Sequence, residues 1–233
     1  MANPKEKPRK KRSRSKKDKA LQMERILDGC LKLIKEKGFF GFEMRALAKH
    51  LGMSKGNLYN YVSSKRELWI AVRIKTMKDF KTGIEKIAFS GGKENSIELL
   101  KNIGRFVLDF AAEDSNRWKL MTSTRPPDPP VKDGKPFIGE IEKHYESSQV
   151  LDAIFNILQV GHSRGEIKDL DLKLVGFYLY SIVLGVSYLE YDILTDDIVR
   201  DSEFHENLKF DRQELRELAL SQVDKILRKS EPQ

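Results

Sequence analysis

The chain has 233 residues, a formal net charge of +8, 39% hydrophobic residues and one cysteine. This length is enough for one compact domain or two small ones, and a single cysteine excludes an intramolecular disulfide. The charged N-terminus lacks the apolar stretch of a signal peptide, so we expect a cytoplasmic protein.

The positive charge is concentrated at the N-terminal end. Residues 1–19 contain ten Lys or Arg and two acidic residues, and residues 20–75 contain eleven basic and five acidic residues. Residues 76–233 contain 22 basic and 28 acidic residues. A basic N-terminal third joined to an acidic remainder is typical of a protein that meets phosphate at one end only.

Residues 1–20 are expected to form a disordered basic arm, because no apolar side chain lies between Ala2 and Ala20. We favour an arm that follows the minor groove or the phosphates of DNA over a solvated tail, since it leads into a DNA-binding motif. A nuclear localisation signal is a third interpretation of such a run.

A first helix is predicted from about Leu21 to Lys37, where Gly38 ends it. Its inner face is predicted to carry Ile26, Leu27, Cys30, Leu31 and Ile34. Cys30 is therefore expected to be buried packing rather than a redox sensor. The small core beneath the next helices is expected to be closed by Phe39, Phe40 and Phe42.

The segment from Met44 to Tyr61, MRALAKHLGMSKGNLYNY, fits two short helices joined by a sharp turn. Apolar residues recur at helical spacing on both sides of the turn: Leu47, Ala48 and Leu51, then Leu58 and Tyr61. Gly52 allows the positive φ that ends the first helix, and Ser54 is suited to cap the second. The pattern predicts a helix-turn-helix.

The polar residues of the second helix argue against the alternative, an ordinary helical hairpin. Folding alone would favour generic Glu, Lys and Ala at these exposed positions. We expect Lys55 and Asn60 to contact base edges, with Gly56 and Asn57 at the groove. The complete set of DNA-binding candidates, of which Ser54, Tyr59 and Lys65 are expected to hold phosphates, is Arg45, Ser54, Lys55, Gly56, Asn57, Tyr59, Asn60, Tyr61 and Lys65.

Three linked motifs resemble the N-terminal domain of the TetR family of transcriptional regulators. They are ERILDGCLKLIKEKGF (Glu24 to Phe39), MRALAKHLGMSKGNLYNY, and SKRELWIAV (Ser64 to Val72). The resemblance implies an all-α homodimeric repressor, with an N-terminal three-helix helix-turn-helix domain and a larger C-terminal helical ligand-binding and dimerisation domain. Glu43 departs from the family, which usually has Ser or Thr there, so the phosphate contact of that position is not carried over.

We divide the chain into the arm at 1–20, a DNA-binding domain at 21–67 and a ligand-binding and dimerisation domain at 68–230. Ser64 and Glu67 predict a capping box that opens a long connecting helix to about Phe89. Gly91 and Gly92 mark a loop, and shorter helices are expected at about 96–113 and 116–123.

The segment 125–136 contains five prolines and cannot be helical. A plain connecting loop and a lid beside a ligand pocket both remain open for it.

One long helix is predicted from about Phe137 to Arg164. It would place His144 and His162, eighteen residues apart, on one side. We interpret both as surface or pocket-rim groups rather than metal ligands. The sequence predicts no metal site, no cofactor and no catalytic constellation, so an enzyme with a DNA-binding head has no positive support.

Two further helices, near 171–194 and 211–228, correspond to the pair through which family members form a homodimer. A monomeric core would explain their apolar residues equally well. The uncharged run from Leu174 to Leu189 is shorter than the ~20 residues that span a bilayer, so no membrane partner is expected.

Aromatic residues of the C-terminal part suggest a pocket for a largely apolar effector, such as an acyl chain or an aromatic compound. Candidate contacts are Phe106, Phe110, Trp118, Arg125, Tyr145, Phe155 and Tyr178, with Lys119 and Arg125 as possible partners of an anionic head group. The sequence thus predicts a nucleoid-associated, ligand-responsive repressor released from a palindromic double-stranded DNA operator. The alternative is an architectural or ligand-independent DNA-binding protein that uses the basic arm.

Overall fold

The computed structural model describes residues 15–41, 43–90, 94–122, 125–145, 150–195 and 211–229. The expectations for residues 1–14, for Phe42 and for Gly91 and Gly92 lie outside these ranges. The elements, in chain order, are α1 (Lys16–Lys37), α2 (Met44–His50), α3 (Lys55–Tyr59), α4 (Lys65–Ser90), α5 (Ser96–Glu113), α6 (Ser115–Thr122), β1 (Val131–Lys132), β2 (Lys135–Pro136), α7 (Glu140–Lys143), α8 (Val150–Ser163), α9 (Leu172–Thr195) and α10 (Arg212–Leu227). The predicted all-α class, with a helix-turn-helix domain before a larger helical domain, is confirmed.

The N-terminal domain folds around one apolar cluster. Its members include Ile26, Cys30 and Ile34 of α1, Leu47 and Ala48 of α2, Leu58 of α3, and Leu68 to Val72 of α4. The helices α1 and α2 cross closely, because a Cβ added at Gly29 would lie 2.7 Å from Leu51 Cδ2. The cluster includes the first two turns of α4, so the connecting helix begins as part of this core.

Two expectations for this domain were wrong. The first helix starts at Lys16 rather than Leu21, because Ser15 and Asp18 form a capping box: each side chain accepts from the other residue's backbone N–H. Residues 16–20 therefore belong to the helix, with Ser15 as its N-cap, and not to a disordered arm. Phe39 enters the core as predicted, but Phe40 is 62% exposed and packs edge-on against the Phe39 ring.

The C-terminal domain is a stack of long helices. A cluster of α4, α5 and α6 residues is centred on Phe80 and Trp118. A further cluster joins α5, α8, α9 and α10 through Leu100, Leu158 and Leu179. The helices α6, α9 and α10 begin and end within a few residues of the predicted bounds, and Asp171 Oδ1 caps α9 by accepting from Leu174 N–H at 3.0 Å.

The single helix predicted from Phe137 to Arg164 was wrong. Pro136 ends the short β1–β2 ribbon, the chain stays extended through Gly139, and α7 is only one turn long before α8 begins at Val150. His144 follows α7 and His162 lies on α8, so the predicted common face does not exist. The segment 125–136 is non-helical as expected, with Asp133 and Gly134 at positive φ in the ribbon turn.

Candidate nucleic-acid interface and ligand cavity

The turn of the helix-turn-helix is fixed by backbone conformation and by two side chains. Gly52 has φ 64°, where a Cβ would be strained, and Ser54 Oγ accepts from the Asn57 N–H at 3.1 Å to cap α3. Arg25 of α1 donates from Nη2 to the Leu51 carbonyl at 3.0 Å. These contacts set the angle at which α3 leaves the domain.

The short helix α3 is held by one side and exposed on the other. Leu58 is fully buried, whereas Lys55, Gly56, Tyr59 and Asn60 are exposed. A Cβ added at Gly56 would meet nothing within 4 Å, so the absence of a side chain there is not required by packing. An exposed face with a cation, an amide, a phenol and bare backbone can approach a duplex closely and hydrogen-bond to it.

The basic residues near this face differ in how they are held. Arg45 of α2 is exposed, and Lys55 places Nζ 5.8 Å from the centroid of the Tyr59 ring. Lys65 is half-buried, with Nζ 3.5 Å from the Phe40 carbonyl and 5.2 Å from the centroid of the Phe39 ring. Burial lowers the pKa of Lys65, and nearby Cys30 and Glu43 offset part of that effect. The Lys65 ammonium has three N–H donors, so it can hold a phosphate while it stays near the Phe40 carbonyl.

Two further candidates have a restricted role in this geometry. The Asn57 N–H is committed to the Ser54 cap, and Tyr61 lies beyond α3 and packs partly buried against the core. Glu43, at the N-cap position of α2, makes no side-chain capping hydrogen bond. The structure therefore brings Ser54, Lys55, Gly56, Tyr59 and Asn60 together on one open face, with Arg45 exposed on the preceding helix.

A cavity of about 360 Å³ lies within the C-terminal domain beside α4. Its volume is in the range of small-molecule sites. The lining comes from α4, α6, α8 and α9 and consists of Arg73, Met77, Phe80, Trp118, Met121, Thr122, Leu151, Asp152, Phe155 and Tyr180. The cavity thus borders the same helix whose first turns belong to the N-terminal core.

Only some of the predicted ligand contacts lie at this cavity. Trp118 and Phe155 line the cavity. Phe106 and Phe110 lie behind its wall, with ring centroids 5.5 and 5.1 Å from that of Phe80. The other three do not reach it: Arg125 is exposed in the proline-rich segment, Tyr145 packs against the N-terminal cluster, and Tyr178 is 53% exposed on the outer side of α9.

Sequence reasoning missed Arg73 and Tyr180. Tyr180 takes the place expected of Tyr178, because Leu179 and Val186 set the buried side of α9. Burial raises the pKa of the Tyr180 phenol. Arg73 had a signal in the sequence, since it lies between Trp69 and Met77 at four-residue spacing, where a helix facing a core would be apolar.

One side of α9 is apolar and uncovered in the single chain. Leu174, Tyr178 and Leu189 are exposed, as are the small residues Ser181 and Gly185 between them. The apolar window of α9 covers 20 residues, Leu172–Tyr191, and is long enough to cross a membrane by length and composition alone, a test that core helices of soluble proteins also pass.

Comparison with known proteins gives a family match in the N-terminal part. Residues 26–72 match the model described as bacterial regulatory proteins, tetR family. An uncharacterized HTH-type transcriptional regulator of Mycobacterium tuberculosis is 30% identical over 102 residues, which make up 44% of this chain and 45% of that protein. The match therefore spans about half the length of that curated relative.

Solved structures resemble the chain over nearly its whole length. FadR from Bacillus subtilis, in complex with stearoyl-CoA, has a TM-score of 0.58 at 21% identity, with 86% of this chain and 96% of that chain covered. AibR, in complex with isovaleryl coenzyme A and operator DNA, has a TM-score of 0.56 at 16% identity, with 88% and 97% covered. At these identities the likeness establishes the fold.

Proposed function

We propose that this chain is a ligand-responsive transcriptional repressor of the tetR family of bacterial regulatory proteins, whose model its residues 26–72 match. The observation that carries the proposal is the exposed face of α3, where Lys55, Gly56, Tyr59 and Asn60 surround the buried anchor Leu58. The family consists of DNA-binding regulators and not of enzymes, and its members are cytoplasmic. Nucleoid association is part of the proposal.

In the proposed complex, α3 enters a major groove. Lys55 and Asn60 contact base edges, and the bare backbone at Gly56 allows close approach. Ser54 and Tyr59 hold phosphates, with their hydroxyl groups as donors. A dimer would place two such helices in successive major grooves, about 34 to 36 Å apart for half-sites one turn apart.

We propose that the dimer forms through α9 and α10. The exposed apolar side of α9 supports this assignment. Covering this apolar surface with a second copy of the chain would remove it from water and so stabilise the dimer. Leu218, which is 59% exposed on α10, extends the same kind of surface.

The effector is proposed to bind in the cavity beside α4. The structures of FadR with stearoyl-CoA and of AibR with isovaleryl coenzyme A support an acyl compound as the class to test first. A ligand releases the operator only if it favours the dimer conformation that does not fit DNA, since equal affinity for both conformations would shift nothing.

Footprinting of the full chain on genomic DNA fragments tests the proposal. A regulator protects a short palindrome, and Lys55→Ala should weaken that binding by about tenfold or more if one good base contact is lost. Tyr59→Phe should weaken it less, because one neutral phosphate contact is removed. Lys81→Ala is the control, since Lys81 is 74% exposed on α4 and far along the chain from α3.

Uniform coating with a steep salt dependence would overturn the regulator and support the architectural alternative. A palindrome that Lys55→Ala and Tyr59→Phe bind as tightly as the wild type would overturn the residue assignment.

A further inference from the structure

One side of α4 carries polar groups that packing does not explain. This side carries, at helical spacing, Trp69, Arg73 and Thr76, followed by the apolar Phe80. Within the part of the chain that the structure describes, the buried atoms Trp69 Nε1, Arg73 Nε and Thr76 Oγ1 have no hydrogen-bond partner. Buried polar groups in native proteins are nearly always satisfied, and of these three residues Arg73 lines a cavity from which a bound guest can supply a partner.

Arg73 is the charged member of this group and lines the cavity. Its guanidinium lies 5.1 Å from the centroid of the Trp69 ring, and Nη1 donates weakly to the Leu120 carbonyl at 3.4 Å. No carboxylate among the described residues is within ion-pair distance of it. An anion that binds beside a half-buried cation with no ion-pair partner lowers the free energy of the complex.

The rest of the lining limits what that anion can be. Met77, Phe80, Met121, Leu151 and Phe155 form an apolar wall. Asp152, an exposed residue of α8, contributes a negative charge to the same lining. Of the residues described, Arg73 is the only cation of this lining, so the lining favours a ligand with one negative charge at Arg73 and an uncharged, largely apolar remainder.

We propose that this cavity binds an amphipathic monocarboxylate, with its carboxylate on Arg73 and its apolar chain or ring against the wall formed by Met77, Phe80 and Phe155. The cavity is the effector site of the proposed function, and the binding itself is measured without DNA. Arg73 lies about two turns into α4, so an anion held there acts on the helix that begins in the N-terminal core. The assignment replaces Arg125, which is exposed in the proline-rich segment, as the partner of an anionic group.

Both tryptophans of the chain report on this site. Trp118 lines the cavity and Trp69 stacks beside Arg73, and the chain contains no other tryptophan. Intrinsic fluorescence of the full chain is titrated with straight-chain alkanoates of about 6 to 16 carbons, a range chosen to bracket the cavity volume. The alcohols of equal length are titrated in the same way. We expect one or more alkanoates to bind at least about tenfold more tightly than the matched alcohol.

Three variants test whether Arg73 causes the preference for the alkanoate over the alcohol. Arg73→Gln should reduce the ratio of the two affinities to about twofold or less, while Arg73→Lys should retain a part of it because the charge remains. Arg125→Gln is the matched control and should leave the ratio unchanged. Circular dichroism checks that each variant is folded.

Equal affinity for alkanoate and alcohol, binding of no alkanoate in the series, or an unchanged ratio in Arg73→Gln would each overturn the proposal. The coenzyme A thioester of the best alkanoate is titrated in parallel. Tighter binding of the thioester than of the free acid would also overturn it, since the anchored group would then not be a carboxylate. A chain that binds alkanoates in this way but protects no palindrome would leave the cavity assignment intact and remove the regulator function.

Discussion

The Glu67 carboxylate accepts a hydrogen bond from the Ile141 N–H at 2.7 Å and so joins the first turn of α4 to α7. Glu67 is 3% exposed, and its other oxygen accepts from the Ser63 N–H at 2.6 Å and from the Ser63 hydroxyl at 2.5 Å. Gly139 lies against this carboxylate, because a Cβ there would be 2.2 Å from Glu67 Cδ. The turn that follows α3, which contains Ser63, is thereby attached to the C-terminal domain.

Arg66 reinforces the same junction. Its Nε donates to Glu142 Oε1 at 2.7 Å, and its Nη1 donates to the Pro127 carbonyl at 2.7 Å. The segment 125–136, for which the sequence left a loop and a lid open, is thus tied by Pro127 to the start of α4. This segment therefore contacts the junction, and none of its described residues lines the cavity.

Glu67→Gln should therefore destabilise the protein. The amide keeps one acceptor oxygen but turns an NH₂ group toward backbone and hydroxyl donors, so at least one buried donor loses its partner. We expect the free energy of unfolding in urea to fall by about 1–3 kcal/mol. Glu85→Gln on the same helix is the control, because the Glu85 side chain is 51% exposed and should change stability little. Equal stability of the two variants would contradict the junction.

Gly56→Ala should separate folding from DNA binding. A methyl group at this position of α3 meets nothing within 4 Å, and alanine is the better helix former, so stability should rise by up to about 1 kcal/mol. Operator affinity, measured by gel shift, should fall because the methyl group lies between the backbone and the duplex.

Gly52→Ala is the contrasting variant. Gly52 has φ 64°, so alanine there should lower stability by about 1 kcal/mol or more. If Gly56→Ala binds the operator as tightly as the wild type, the backbone at Gly56 does not approach DNA.

The sequence predicted the helix-turn-helix in detail because its determinants are local. The positive φ of Gly52, the cap by Ser54 and the burial of Leu58 each depend on neighbours a few residues away. The same is true of α10, whose Asp211 cap accepts from the Gln213 N–H. Local capping and helical periodicity are visible in one sequence.

The cavity was harder to predict because it depends on contacts far apart in the chain. Tyr178 and Tyr180 are equally aromatic, and only the packing of α9 on α5 and α8 decides which one faces inward. The junction was hard to predict for the same reason. In the sequence Glu67 resembles the last residue of a capping box, but in the structure it accepts from the N–H of Ile141, 74 positions later. Ser64 Oγ does accept from the Glu67 N–H at 3.0 Å, so that half of the predicted box is confirmed.

The exposed side of α9 should support a dimer in solution. Leu174→Glu places a charge on the uncovered apolar surface and should raise the dimer dissociation constant by about tenfold or more in sedimentation equilibrium. Gly185→Leu should act in the same direction, because open space around Gly185 in the single chain would be taken by the partner helix. Phe89→Glu is the control, since Phe89 is 86% exposed at the end of α4. A wild-type monomer, or dimers unaffected by both substitutions, would contradict this face.

A buried ion pair holds α10 to α9 behind that face. Arg216 donates from Nε to Glu190 Oε1 at 2.5 Å and from Nη2 to Glu190 Oε2 at 2.7 Å, and the Glu190 side chain is 4% exposed. The hydrogen bonds to Glu190 raise the pKa of Arg216, and Asp109 of α5 adds a further contact at 2.9 Å.

Arg216→Ala should lower the free energy of unfolding by about 3 kcal/mol, because it leaves Glu190 buried without its two-pronged partner. Arg212 stays 3.5 Å from Glu190 and would recover part of the loss. The double variant Arg216→Leu with Glu190→Leu should be less destabilised than Arg216→Ala, since no buried charge remains. Arg105→Ala on α5 is the matched control, because its pair with Glu217 is 3.6 Å long and its side chain is 41% exposed. If Arg216→Ala costs no more than Arg105→Ala in urea denaturation, the pair does not hold the two helices together.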